Sequence, residues 1–200
     1  MESIVKKYQQ RFRKVKEEMD KWDHHRSRLL SQFRNACSII ERLKVIQDSN
    51  NYGALNSVSG IVDAVLRKQM ESLETIFLSM NKTLEEFRGI VLFLEKMHRD
   101  GRLFVKVGSN QLTAKQLQQR IGIKPCLADC LDGLMILHDM HRSEYKYLLK
   151  SSVVSALPAH ILKPSSSDLA ALQQLMVDQP NIPKEEVDLI FDIIFAEEIS

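Results

Sequence analysis

Four side chains that bind zinc in other proteins fall within one short stretch: Cys126, Cys130, His138 and His141. Thiolate sulfur and imidazole nitrogen are donors for tetrahedral zinc, and every donor must come within about 2 Å of the metal. Their spacing works against that chemistry. The apolar pattern around them is helical, and on a helix Cys130 and His138 stand about 12 Å apart along the axis. The expectation is two ordinary cysteines on a helix, with no metal and no cofactor. Enzymatic chemistry has equally little to build on. The chain has no Gly-Lys-Ser/Thr phosphate loop, no Gly-x-Ser-x-Gly elbow and no His-Glu-x-x-His helix. Its seven glycines are scattered, so the chain reads as a non-enzyme with no catalytic residues.

Three further groups invite a functional reading. Arg11, Arg13, Lys14 and Lys16 sit beside Tyr8 and Phe12, a combination that suits an RNA-binding strip. The two aromatics, however, fall on an apolar helical seam and point at another helix, which leaves a solvated basic face and no direct nucleic-acid binding as the expectation. His24-His25-Arg26 places a cation in the middle of that seam, either as a polar position fixing register or as a local stutter. Trp22, the single tryptophan, is either core or an interface anchor, a role in which Trp is enriched.

The elements that must carry these residues follow from composition and period. Hydrophobic residues make up 44% and charged residues 27%, against only seven Gly and five Pro, which permits long uninterrupted helices. From Val5, alternating steps of three and four reach Tyr8, Phe12, Val15, Met19, Trp22, Arg26, Leu29, Phe33, Ala36, Ile40 and Leu43, and only Arg26 is polar. That is a heptad seam about 60 Å long, closed by the Asp-Ser-Asn-Asn turn within Gln47 to Gly53. From Val62 the same test gives Leu66, Leu73, Ile76, Met80, Phe87, Ile90, Leu94 and Met97, interrupted by Gln69 and Thr83. Asp100-Gly101 reads as the stop of this second helix, after a basic last turn of Lys96, His98 and Arg99. Two long seams with a short connection predict an antiparallel hairpin over residues 1–100.

Residues 101–124 read as an irregular connector: Leu103, Phe104, Val105 and Val107 suggest a short β segment, and Thr113 the N-cap of a brief helix ending near Gly122. Residues 125–200 form a helical C-terminal region. Pro125 stands at the first turn of a third helix through Leu127, Leu131, Leu134, Leu137, Met140, Tyr145 and Leu148, continuing toward Val153 and stopping near Leu157-Pro158. Ser167 and Asp168 open a fourth, and Pro183 with Glu185 and Glu186 opens a fifth bearing Val187, Ile190, Phe191 and Ile194. This last helix packs either on the third, through Leu148 and Val153, or on a partner subunit. Packing within the chain is the expectation, with the outer, charged side and the exposed part of the hairpin left for the partner. The fold class is all-α.

Net charge is only +2, but residues 1–47 carry twelve basic against six acidic side chains, and residues 163–200 two against eight. Such opposed ends suit association with charged protein partners. Three cysteines, an odd number, and a start without a secretory pattern predict an intracellular compartment. The strongest apolar stretches, Gly89 to Leu94 and Leu189 to Ala196, fall short of the ~20 residues that span a bilayer, so no membrane role is expected.

The order of features resembles the AIRIM family of AAA-ATPase-interacting ribosome maturation factors. The residues that carry it are Lys21-Trp22 and Leu29-Leu30 in the first helix, and Val65-Leu66-Arg67-Lys68-Gln69 in the second. In the third they are Pro125-x-Leu127-Ala128-Asp129, His141-Arg142-x-x-Tyr145 and Leu148-Leu149. The C-terminal part is also similar to the cyclin-dependent-kinase-interacting protein family, a subunit of the same assembly. Here the matching residues are Met140-His141-Arg142-x-Glu144, Leu148-Leu149-Lys150, Asp168-Leu169-x-x-Leu172-x-x-Leu175 and Gln179-Pro180-x-Ile182. The resemblance implies a non-catalytic helical adaptor of nucleus and cytoplasm. It would pair with a related helical subunit and serve AAA ATPases that remodel late pre-60S ribosomal particles, touched indirectly, or chromatin and replisome substrates. Trp22, Arg26, Leu29, Phe33, Tyr145, Leu148, Leu149, Val187, Phe191 and Ile194 are the candidate partner-contact residues. The same seams also permit a generic coiled-coil scaffold or tether, and the basic first helix an RNA-binding ribosome-assembly factor.

Overall fold

A computed structural model of the chain describes residues 2–106, 112–120, 122–151 and 165–196. Every regular element among the described residues is helical: α1 Glu2–Ile46, a 3-10 stretch Ser49–Ser57, α2 Ile61–Lys106, α3 Ala114–Leu117, α4 Leu127–Ser151, α5 Ser166–Asp178 and α6 Lys184–Ile194. The two long helices pack against each other and the shorter ones follow, as the heptad seams predict. The chain divides into two compact units. One consists of Met1–His24, Phe87–Tyr147 and Gln179–Ser200, the other of His25–Glu86 and Leu148–Asp178.

In the first unit the α1 seam residues Val5, Tyr8, Phe12, Val15 and Trp22 are buried, as are Phe87, Ile90 and Leu94 of α2 and Leu127, Leu134 and Leu137 of α4. The pairing is antiparallel: Trp22 meets Phe87 edge-on at 4.4 Å, and Tyr8, fourteen residues earlier on α1, reaches Gly101, fourteen later on α2. The Tyr8 hydroxyl donates to the Gly101 carbonyl at 2.7 Å, and burial pushes its pKa up to about 12.

In the second unit Leu29, Phe33, Ala36 and Ile40 of α1 are buried with Leu73, Met80 and Leu84 of α2. A polar ladder fixes register along their rim. Arg28 pairs with Glu86 and donates from Nε to Thr83 Oγ1 at 3.2 Å, while Gln32 donates to Ser79 Oγ at 2.7 Å and accepts from Thr83 at 3.0 Å. The end of α1 falls where the Asp-Ser-Asn-Asn cluster predicts: Asn51 Nδ2 donates to the Val45 carbonyl at 2.8 Å, satisfying a last-turn acceptor. The 3-10 stretch turns at Gly53, whose φ of 49° a side chain would resist.

Helix α2 corrects the reading of residues 101–106. Asp100-Gly101 is no stop, and Leu103, Phe104 and Val105 are helical, with no strand among the described residues; Val107 lies outside them. The reason is tertiary. A Cβ at Gly101 would stand 3.3 Å from both Leu134 Cδ1 and Tyr8 Cε1, so this glycine admits two neighbours at close range and stays inside the helix. Local helix-ending propensity gives way to packing. Thr113 is the N-cap of α3, with a reciprocal capping box to Gln116, but that helix ends at Leu117 and not near Gly122.

The remaining starts shift by a residue or two. Pro125 precedes α4 rather than opening it. Cys126 and Asp129 exchange the cap bonds, Cys126 N donating to Asp129 Oδ2 at 2.9 Å and Asp129 N to Cys126 Sγ at 3.3 Å. At α5 the cap is Ser165 rather than Ser167, in the same reciprocal arrangement with Asp168. Beyond Ser151, the expected continuation toward Val153 and the stop at Leu157-Pro158 lie outside the described residues.

Candidate interaction site

A short turn, Gln179 to Ile182, enters α6 and is latched to α1 and α4 by buried polar groups. Trp22 Nε1 donates to Gln179 Oε1 at 2.8 Å. Gln179 has a φ of 44°, a left-handed conformation rare outside glycine. Glu144, fully buried, accepts at Oε2 from the Asn181 backbone N–H at 3.0 Å and from Asn181 Nδ2 at 2.9 Å. His141 lies edge-on to Trp22 at 4.8 Å. Because a carbonyl can only accept, its Nδ1–H donates to the Leu137 carbonyl at 2.7 Å. Burial holds the imidazole neutral by lowering its pKa to about 4.

The latch delivers α6 to its seat. Phe191 meets Phe12 edge-on at 6.1 Å, Arg13 lies over the Phe195 ring at 5.6 Å, and Gln9 Nε2 donates to the Ile194 carbonyl at 3.1 Å. A Cβ at Gly133 of α4 would come within 3.0 Å of Ile190 Cγ2 and 3.2 Å of Phe12 Cζ, so a bare backbone is what lets the three helices close. The terminal helix therefore packs within the chain, but on α1 and Gly133. Leu148 and Val153 were the expected seat, and Val153 lies outside the described residues.

With its inner face spent, α6 turns outward a face that the sequence marks as acidic, and on it an apolar pair that the sequence analysis did not single out. Leu189 and Ile193, one helical turn apart, are 57% and 37% exposed. Glu185, Glu186, Asp188 and Asp192 stand exposed around them. The available signal was that six of the eleven α6 residues are large aliphatics or Phe, more than one packed face uses.

Residues 2–199 match the model of a family described as ribosome biogenesis protein C1orf109-like. The chain belongs to that family. It is the AIRIM family of the resemblance above. No curated relative matches the chain.

In this C1orf109-like chain some of the residues that carried the resemblance are buried, among them Trp22, Leu29, Leu127, His141, Glu144 and Leu148, while others, such as Lys21, Arg67, Lys68 and Arg142, are exposed. His141 and Gln179 meet Trp22, and Glu144 holds Asn181 in the same turn. Of the ten candidate contact residues, Trp22, Leu29, Phe33, Leu148 and Ile194 are buried, and Val187 and Phe191 are half-buried. Tyr145 is half-buried too, and Arg26 donates to the Val177 carbonyl at 3.2 Å, satisfying an acceptor in the last turn of α5. Leu149, 41% exposed, is the one of the ten that faces solvent.

Cys126, Cys130, His138 and His141 all lie on or beside α4, and no three His, Cys, Asp or Glu side chains among the described residues gather as a metal site. Burial pushes the Cys130 thiol up to about 12, with Asp129 adding to the shift, so it is not a thiolate at neutral pH. Tyr8 and Phe12 are fully buried, which removes them as base-stacking platforms on the basic strip. No helix among the described residues is long and apolar enough to cross a membrane.

Proposed function

We propose that this chain is a non-catalytic adaptor subunit of an AAA-ATPase remodelling complex acting on late pre-60S ribosomal particles in the nucleus and cytoplasm. A related helical subunit is its partner within that complex, and its contact with the pre-ribosomal particle is indirect. A role toward chromatin or replisome substrates comes with the same reading, through the C-terminal likeness to the cyclin-dependent-kinase-interacting protein family. The observation that carries the proposal is the family match over residues 2–199 to a ribosome biogenesis protein. The resemblance supplies the ATPase.

The outer face of α6 supports an adaptor's use of this fold. A seated helix holds Leu189 and Ile193 in a fixed frame of carboxylates, a small apolar centre whose acidic rim steers toward a basic partner surface. Leu149 is the other candidate contact. The test is affinity purification from native extract. The wild-type chain should recover AAA-ATPase subunits without RNase sensitivity, and a Leu189→Asp, Ile193→Asp variant with unchanged circular dichroism should recover much less. Trafficking or cytoskeletal proteins in their place would support a generic tether, and RNase-sensitive ribosomal proteins alone an RNA-binding factor.

A further inference from the structure

The first unit carries a second open surface, of opposite charge to the α6 face. Between the C-terminal part of α2 and the middle of α4 runs a groove of about 500 Å³. Arg99, Leu103 and Lys106 recur at spacings of four and three and so share one face of α2, with Arg102 beside them. Met135 and His138, three apart, line the facing side of α4. The apolar surface is substantial, since Leu103 is 50% and Met135 40% exposed.

The lining carries the cations Arg99, Arg102 and Lys106 against two carboxylates, Glu95 and Asp139, and Asp100 lies 3.9 Å from Arg99. His98 in the wall has its pKa lowered by burial and then by Arg102 and His138, so it adds no cation near neutral pH. His138 Nδ1 is 3.1 Å from Asp139 Oδ1, which occupies that carboxylate. Arg102 and Lys106 have no carboxylate partner among the described residues. Next to the groove, Phe104 has Lys7 5.0 Å and Arg11 6.0 Å from its ring centre, which extends the positive surface onto α1.

We propose that this groove docks an acidic amphipathic segment of a partner protein. Leu or Ile side chains of the segment lie over Leu103 and Met135, and its carboxylates meet Arg99, Arg102 and Lys106. Helix-in-groove recognition needs this combination, an apolar trough read by anchors one turn apart and flanked by charges that set orientation. A nucleic acid fits less well. Its bases stack on free aromatic faces, whereas the apolar side chains in the groove are Leu103 and Met135, and the neighbouring Phe104 is already covered by two cations. The inference stands apart from the ATPase reading and concerns a different face of the unit.

Photo-crosslinking tests it. A benzoyl-phenylalanine is placed at Met135, and separately at Leu103, in the full chain expressed in cells, and the irradiated products are digested and sequenced by mass spectrometry. Both positions should capture one segment in which several Asp or Glu accompany Leu or Ile at helical spacing. Arg102→Gln with Lys106→Gln, a pair that removes the charge from exposed positions without breaking the helix, should lower that crosslink at least about tenfold. Raised salt should weaken it as well. Capture of RNA, of a segment without acidic residues, or of nothing at either position overturns the proposal, as does a crosslink that survives the glutamine pair in a chain of unchanged circular dichroism.

Discussion

Glu144 on α4 holds Asn181 at two points, through the backbone N–H at 3.0 Å and the side-chain amide at 2.9 Å, although 37 residues separate them. Both bonds land on Oε2, and Oε1 is buried with no hydrogen-bond partner among the described residues. Glu144→Leu, close in size, leaves two donors of Asn181 without an acceptor and should cost roughly 2–4 kcal/mol. Glu144→Gln keeps an acceptor oxygen and should cost about half as much, the remainder coming from an amide NH2 with no acceptor in the Oε1 position. Urea unfolding followed by circular dichroism ranks the two. Equal losses would mean that Asn181 finds another acceptor and the latch is not what holds the turn.

His141 makes the same cluster sensitive to acid. Its folded-state pKa, about 4, lies below the ordinary 6.5. Between these values the unfolded chain binds a proton that the folded chain does not, so stability is complete above about pH 6.5 and falls as pH drops toward 4. The linkage relation gives a loss of roughly 2 kcal/mol between pH 7.5 and 5. A His141→Gln variant should be less stable at neutral pH but flatter across that window. If the wild type and the variant show the same pH slope, other groups govern the acid response.

Gly133 sets helix propensity against packing. Alanine gains up to about 1 kcal/mol as a helix former, yet its methyl would meet Ile190 at 3.0 Å and Phe12 at 3.2 Å. Overpacking of this kind costs about 1–3 kcal/mol. Packing should win, and Gly133→Ala should lower the melting temperature by a few degrees. A rise would show that α6 shifts outward at little cost.

The long seams were legible because their information is local and repeated: a residue every third or fourth position, tens of times, with no Gly or Pro in α1. Arg26 shows where that stops. Its seam position was plain, but its partner, the Val177 carbonyl, lies 151 residues away and no spacing rule links them. Gly101 failed in the opposite sense. The Asp-Gly signal for a helix end is sound locally, and only the approach of Tyr8 and Leu134 explains why the helix runs on. At α6 the sequence carried the amphipathic face but not which side would be covered first, so Leu189 and Ile193 became visible only when Phe191 and Ile194 were seen on α1.

The seam itself can be tested by charge insertion. Phe33 is fully buried, while Leu149 is 41% exposed. Phe33→Asp places an unpaired carboxylate in a buried apolar seam and should destabilise by several kcal/mol, enough to lose the cooperative melt. Leu149→Asp should change stability by no more than about 0.5 kcal/mol. Thermal melts by circular dichroism separate the two. Similar melts for both would put the α1 seam on the wrong face.

Deleting residues 183–200 asks whether α6 belongs to the chain or to its partners. The helix covers Phe12, which is fully buried, and its Ile194 carbonyl is the acceptor for Gln9 Nε2. Its loss would uncover an aromatic side chain, worth about 1.5–3 kcal/mol of burial by itself, and exchange the Gln9 hydrogen bond for one to water, a net loss of about 0.5–1.5 kcal/mol more. A drop in melting temperature of roughly 10 °C follows for a chain of this size, with aggregation as the practical sign because α1 then exposes an apolar strip. The double variant Leu189→Asp, Ile193→Asp alters only the outer face and should keep the wild-type melt. Together they separate two roles that the deletion alone confounds. A truncated chain as stable as the wild type would remove the internal role, since an eleven-residue helix with little stability of its own would then have been held by something else. A double variant that melts early would show instead that the face read as open is packed in solution.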